Sequence, residues 1–200
     1  MKQFAVGRYA PFPGINYAHP KPFRNWTDQQ MTAVIGGWLS GDPPSLELAT
    51  LALAELRGRQ ADLAASMKFA DAGYEPIPWL EEAGERVRDV FTPQVLAQQK
   101  SGRLGAHVYV MLRWGYSAEN GLYGAYVGST GKPVATRCAE HRKGIRSARG
   151  LPRYGVEPLW SLFDFINPVP KARAGREEWE TRLHEALAPV IPKVTGDVAF

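Results

Sequence analysis

Apolar positions change their spacing near the middle of this chain. From residue 27 to about residue 100 they recur every three to four residues, the period of amphipathic helices. Thr27 with Gln30 three positions on forms a capping box, so a helix starts there and runs through MTAVIGGWLS toward Gly41. Asp42-Pro43 reads as a second start, an N-cap followed by proline at the first helical position. LELATLALAELRGR then carries an apolar stripe too broad for a lone surface helix. ADLAASMKFADAG predicts a third helix ending at Gly73, and LEEAGERVRDVF with PQVLAQQK completes an all-α unit over residues 27–100. Nothing in that unit has metal-ligand or nucleophile spacing. Residues 1–26 hold Pro11, Pro13, Pro20 and Pro22 among six aromatic residues. That mixture predicts an extended arm packed on the helices that follow or on a partner chain. KSGRLG, residues 100–105, predicts a hinge.

Beyond the hinge the pattern shortens. VYVML (108–112) is an apolar run bounded by glycine and charge, which predicts a buried strand. LYGAYVG (122–128) predicts a second strand, antiparallel to the first because the connection is short. Residues 134–149 predict a helix, LWSLFDFI (159–166) a third strand, and residues 172–188 a last helix closed off by Pro189 and Pro192. The expected fold class is α+β. A small three-stranded antiparallel sheet flanked by helices, in the order β-β-α-β-α over residues 106–200, follows an all-α part.

Two hundred residues suit one large domain or two small ones. No apolar run reaches the ~18 residues that cross a membrane. MKQFAVGRYAPFPG lacks the apolar stretch of a secretory signal, and the single cysteine, Cys138, allows no intrachain disulfide. A cytoplasmic protein is expected, with signal-less export as an effector the alternative. Charge is uneven. Residues 1–100 carry 10 Lys/Arg and 11 Asp/Glu, a net of −1, whereas residues 101–200 carry 14 and 9, a net of +5. A polyanion would dock on the second half.

Two motifs there fail on spacing. GSTGKP has two residues between its glycines, where a phosphate-cradling P-loop needs four, and Pro133 follows Lys132. His184-Glu185 begins like a zinc-protease helix, but position 188 is alanine. A third pattern holds together. Tyr109 lies in the first strand and Tyr126 in the second. Arg137 follows Tyr126 by eleven residues, His141 comes one helical turn later, and Glu180 lies nine residues before Pro189. Two phenols, a guanidinium, an imidazole and a carboxylate suit phosphodiester hydrolysis. That reaction needs an activated water, a sink for charge on the phosphate and stabilisation of the leaving oxygen.

HVY, YVG and the ordered set around them resemble the GIY-YIG nuclease family over residues 106–192, and over none of the first half. His107 stands where that family usually has glycine, Ser129 where some members have lysine, and no asparagine follows Pro189. The resemblance implies a DNA endonuclease using one Mg²⁺ or Mn²⁺, with Glu180 as the metal ligand. Glu177, one turn earlier, is the rival ligand. Tyr126 is expected as general base toward water, its phenol made more acidic by Arg137, His141 and the metal's water shell, with Tyr109 and His141 positioning that water or relaying its proton. Spacing alone does not choose between the two phenols.

Lys132, Arg142, Lys143, Arg146, Arg149 and Arg153 are expected to contact the phosphates of a double-stranded DNA. Tyr116, Asn120 and Tyr123 are candidates to reach a groove. The setting is a restriction-type enzyme or a toxin-like effector. Residues 1–100 would serve DNA reading or dimerisation, or a delivery or immunity partner. A ribonuclease, or a non-catalytic nucleic-acid-binding module on the same fold, is the alternative.

Overall fold

The computed structural model describes residues 9–98, 103–115 and 121–196. Within them the chain is α+β, with eight helices and a mixed sheet of five strands.

Five helices come first: α1 (Asp28–Leu39), α2 (Leu46–Gly58), α3 (Leu63–Ala72), α4 (Leu80–Val90) and α5 (Pro93–Gln98). The capping box forms, with Thr27 N–H donating to Gln30 Oε1 (2.8 Å) and Gln30 N–H to Thr27 Oγ1 (3.2 Å). α1 buries Met31, Ile35, Trp38 and Leu39, one helical stripe, while α2 is buried around most of its circumference. α2 starts at Leu46 after Ser45, not at Asp42. A second proline explains the shift. Pro44 keeps Pro43 out of the helical region, so the Asp42 signal has no helix to start. Before α1, the rings of Tyr9, Tyr17 and Phe23 are buried. Arg59 pins that segment by donating to the carbonyls of Arg24 (3.1 Å) and Trp26 (2.7 Å).

The sheet is built on β1 (Leu104–Trp114) and β2 (Tyr123–Thr130), antiparallel, with Tyr109 opposite Gly128 and Met111 opposite Tyr126. β1 already begins at Leu104, inside the stretch expected as a hinge; residues 99–102 lie outside the described ones. β3 (Gly155–Pro158) and β4 (Val169–Pro170) share the other edge of β1, and β5 (Val194–Gly196) runs parallel to β2. The expected three-stranded antiparallel sheet is therefore corrected to a five-stranded mixed one. Its expected third strand, residues 159–166, forms two 3-10 turns, Trp160–Leu162 and Asp164–Ile166. Leu159, Leu162, Phe163 and Ile166 are buried there, at i, i+3, i+4 and i+7, a helical period rather than a strand's. The helix expected over 134–149 ends early, at Arg142, as α6 (Val134–Arg142); a separate short helix, α7 (Leu151–Tyr154), forms beyond that span. Gly144 and Arg146 take positive φ between them, +75° and +45°, which ends a right-handed helix. α8 (Arg173–Leu187) packs on β1, β2 and α4.

The two halves meet in one apolar core. Phe91 packs on Trp179 (5.4 Å between ring centroids) and Tyr74 on Trp114 (5.3 Å). Tyr123 O–H donates to Glu75 O (2.8 Å) and Trp79 Nε1–H donates to Tyr123 O (3.3 Å). Two buried carboxylates lie at the same junction. Glu157 Oε1 accepts from Glu47 N–H at the start of α2 (2.9 Å), and Glu47 Oε1 accepts from Ser161 N–H (2.7 Å). Burial, and for Glu157 the charge of Glu47, push both carboxyls up, Glu47 to about 7.

Candidate active site

Side chains alternate across a strand, so the register decides which residues meet. Tyr109 on β1 faces Gly128 on β2, and Tyr126 lies two residues before Gly128, on the same face. The two phenol rings stand 6.1 Å apart. Gly128 makes this approach possible. A Cβ there would lie 2.6 Å from Tyr109 Oη and 2.8 Å from Tyr126 Cε1, inside van der Waals contact with both rings. The glycine of YVG is thus a site residue in its own right, unmarked by the charge and spacing that single out the others.

α6 places His141 over this pair. Its ring centroid is 5.9 Å from that of Tyr109 and 5.6 Å from that of Tyr126, edge to face in the second case. Tyr109 Oη and His141 Nε2 are 2.6 Å apart. On the far side of the ring, His141 Nδ1 lies 3.2 Å from Ser147 Oγ, whose own proton goes to Ala148 O (3.3 Å). A hydroxyl that donates to a carbonyl is left as acceptor, which assigns the imidazole proton to Nδ1. Nε2 then accepts from Tyr109 O–H. Burial first, and the charge of Arg137 second, lower the His141 pKa to about 4, so the ring is neutral at pH 7. The expectation that His141 acts as a cation acidifying a phenol is corrected accordingly. Burial also pushes the Tyr109 phenol well above its ordinary value, against a smaller opposing pull from Arg137. Ser147 was not among the residues that sequence spacing singled out. A serine six residues beyond a histidine carries no helical signal, since the chain leaves α6 in between.

Arg137, half-buried one turn before His141, is held by the loop after α6. Its Nη1 donates to Ile145 O (3.2 Å) and Glu140 Oε2 (3.3 Å), and its Nη2 to Arg146 O (2.7 Å). Glu140 also pairs with Lys132, and this contact first and Arg137 second hold its carboxyl below the usual range. Lys132 and Arg137 thus converge on one carboxylate.

Glu180 is on the buried face of α8 with Trp179, Leu183 and Leu187, whereas Glu177 is exposed and pairs with Arg173 (2.7 Å). Of the two rival ligands, Glu180 is the one turned inward. Among the described residues no group of three or more His, Cys, Asp or Glu gathers to hold an ion. A hard divalent ion here would have Glu180 as its carboxylate ligand, with water filling the remaining positions.

Of the basic residues, Lys132, Lys143, Arg146, Arg149 and Arg153 are exposed. Arg142 is half-buried and donates to Pro152 O and Gly155 O (3.2 Å each), which ties α6 to the start of β3. Tyr123 is buried with its hydroxyl on Glu75 O and does not face a groove. Tyr116 and Asn120 lie outside the described residues. No family model, curated protein or solved structure matches this chain. No helix among the described residues is long and apolar enough to cross a membrane.

Proposed function

We propose that the chain is a GIY-YIG-type endonuclease that hydrolyses phosphodiester bonds in DNA with one Mg²⁺ or Mn²⁺. The observation that carries this reading is the Tyr109–His141 hydrogen bond at 2.6 Å, with Tyr126 packed against both rings. A phenol bonded to a neutral imidazole is a proton relay. The Tyr109 oxygen takes a proton from the attacking water as its own proton passes to His141 Nε2. Water becomes the nucleophile and His141 ends as imidazolium. This gives the base role to the Tyr109–His141 pair, and Tyr126 then helps to confine the water.

His141 is a weak base at rest, in part because of Arg137. A phosphodiester gripped by Arg137 would neutralise that charge and return basicity to the imidazole. Substrate binding and base activation are linked in this way. Glu180 would hold the divalent ion, whose positive charge would stabilise the leaving oxygen. The exposed cations of residues 143–153 and Lys132 would grip neighbouring phosphates.

Purified protein with Mg²⁺ or Mn²⁺ is expected to nick or linearise plasmid, and EDTA to stop it. Glu180→Gln should abolish cutting while keeping affinity for DNA. Cutting undiminished in Glu180→Gln would remove that residue from the site. Cutting of RNA alone would make the chain a ribonuclease, and binding without cleavage would make it a recognition module.

A further inference from the structure

At the far end of β1 from Tyr109, a cavity of about 270 Å³ is lined by Asp42, Trp114, Gly115, Arg142, Arg153 and Tyr154, among others. Trp114 is fixed against Tyr74 and Tyr123 (centroids at 5.3 and 6.4 Å). Tyr154 is different: more than a third of its surface remains exposed. It is nonetheless held in place. Its ring lies so close to the backbone that a Cβ on Gly115 would stand 3.2 Å from it and one on Gly150 3.4 Å. The guanidinium of Arg153 sits over the same ring, 5.1 Å from its centroid.

An oriented, exposed aromatic ring, in a cavity whose two arginines outnumber its one carboxylate, Asp42, selects for a flat aromatic group joined to negative charge. The volume is near the lower end of what holds a drug-sized molecule, so one ring system fits and a long apolar chain does not. Lys143, Arg146 and Arg149 in the adjoining loop extend the positive charge outward. We infer that this cavity receives one unstacked nucleobase of the bound strand. Tyr154 and Trp114 supply the apolar walls, and the exposed Arg153 faces a flanking phosphate. Trp114 lies five positions beyond Tyr109 along β1, about 17 Å at ~3.3 Å per residue, so the base belongs to a nucleotide away from the scissile bond. The faces of bases in an intact duplex are covered by their neighbours. The favoured substrate is therefore DNA that is single-stranded or locally unpaired. This rests on the nuclease reading for the identity of the polyanion, yet it can be tested by binding alone.

The probes are a fluorescein-labelled single-stranded DNA oligomer, the same oligomer with a run of abasic sites, and a blunt duplex, each titrated by anisotropy at fixed salt. Wild-type protein should prefer the single strand with bases over the other two. Tyr154→Ala should weaken binding of that strand roughly 10- to 100-fold, the effect of losing one base–ring stack, and leave the abasic oligomer nearly unchanged. Tyr154→Phe should restore the wild-type affinity, because a phenyl face stacks as well as a phenol. Equal loss on both oligomers would reduce Tyr154 to a structural residue and overturn the assignment. So would no loss on either, no binding of any probe, or a wild-type preference for duplex. Plasmid cutting by the wild type with and without EDTA is scored separately. A base-dependent Tyr154 effect without cutting would keep the pocket and refute the nuclease.

Discussion

Tyr109 owes its place to a neighbour without a side chain. Gly128→Ala would put a methyl group within 2.6 Å of the Tyr109 hydroxyl, between the two phenols. The ring must move, and the bond to His141 with it. Overpacking of this kind costs about 1–3 kcal/mol. The expected result is a modestly lowered melting temperature with at least ~10-fold slower cutting, read by thermal unfolding and plasmid nicking on the same preparation. Protonation adds a second outcome at this scale. His141 is held to about 4 partly by Arg137, and a bound phosphate cancels that charge. The acidic limb of kcat, which reports the complex, should therefore lie at higher pH than the limb of kcat/KM, which reports the free enzyme. Coincident limbs would mean that Arg137 does not take the phosphate. The pairing of the tyrosines was legible in the sequence, because a two-residue period puts Tyr126 and Gly128 on one face. The neutral state of His141 was not, since it follows from burial that no spacing reveals.

Among the elements, α6 with the loop that follows does most to build the site. It carries Arg137, Cys138, Glu140 and His141, and its loop returns Ser147 to the imidazole and two carbonyls to the guanidinium. Arg137→Lys keeps the charge and loses the fork that holds Ile145 O and Arg146 O. It should slow cutting by about 10²-fold, the scale of one lost charge-stabilising donor. Protease should also nick residues 143–150 faster, as seen by mass spectrometry of the fragments. Unchanged nicking would show that the loop holds itself. Strong helical signals, such as the Thr27–Gln30 capping box and the closing glycine of α3, were readable along the chain. The short segments were not. Asp42-Pro43 was outweighed by Pro44. Residues 159–166 were too brief for their period to be told from a strand's, and β5 is three residues long with no pattern of its own.

At the scale of the whole molecule, Glu47 and Glu157 join the helical half to the sheet, and among the described residues no cation pairs with either. A carboxyl raised from 4.5 to about 7 in the folded protein binds a proton that the unfolded chain has already lost. Its contribution to stability is therefore full below pH 4.5 and declines as pH rises through about 7. His141 works in the opposite sense: its lowered pKa favours the fold above pH 6.5 and is lost as pH falls toward 4. Comparison with Glu47→Gln separates the two. Between pH 4.5 and 7.5 wild type should lose on the order of 3 kcal/mol more stability than Glu47→Gln, measured by urea unfolding at several pH values. Parallel curves would mean that Glu47 is charged in the fold. Long-range partnerships such as Glu47 with Ser161 leave no local trace, which is why this junction was invisible along the chain.

Cys138 is the one thiol in the chain, is fully buried on the helix that carries Arg137 and His141, and is pushed up to about 12 by burial. Alkylating reagents attack thiolates, so they can reach it only in molecules whose α6 has parted from the sheet. The protein therefore carries its own stopwatch. The rate at which iodoacetamide consumes that sulfur counts openings of α6, with no label attached and no second cysteine to confuse the signal.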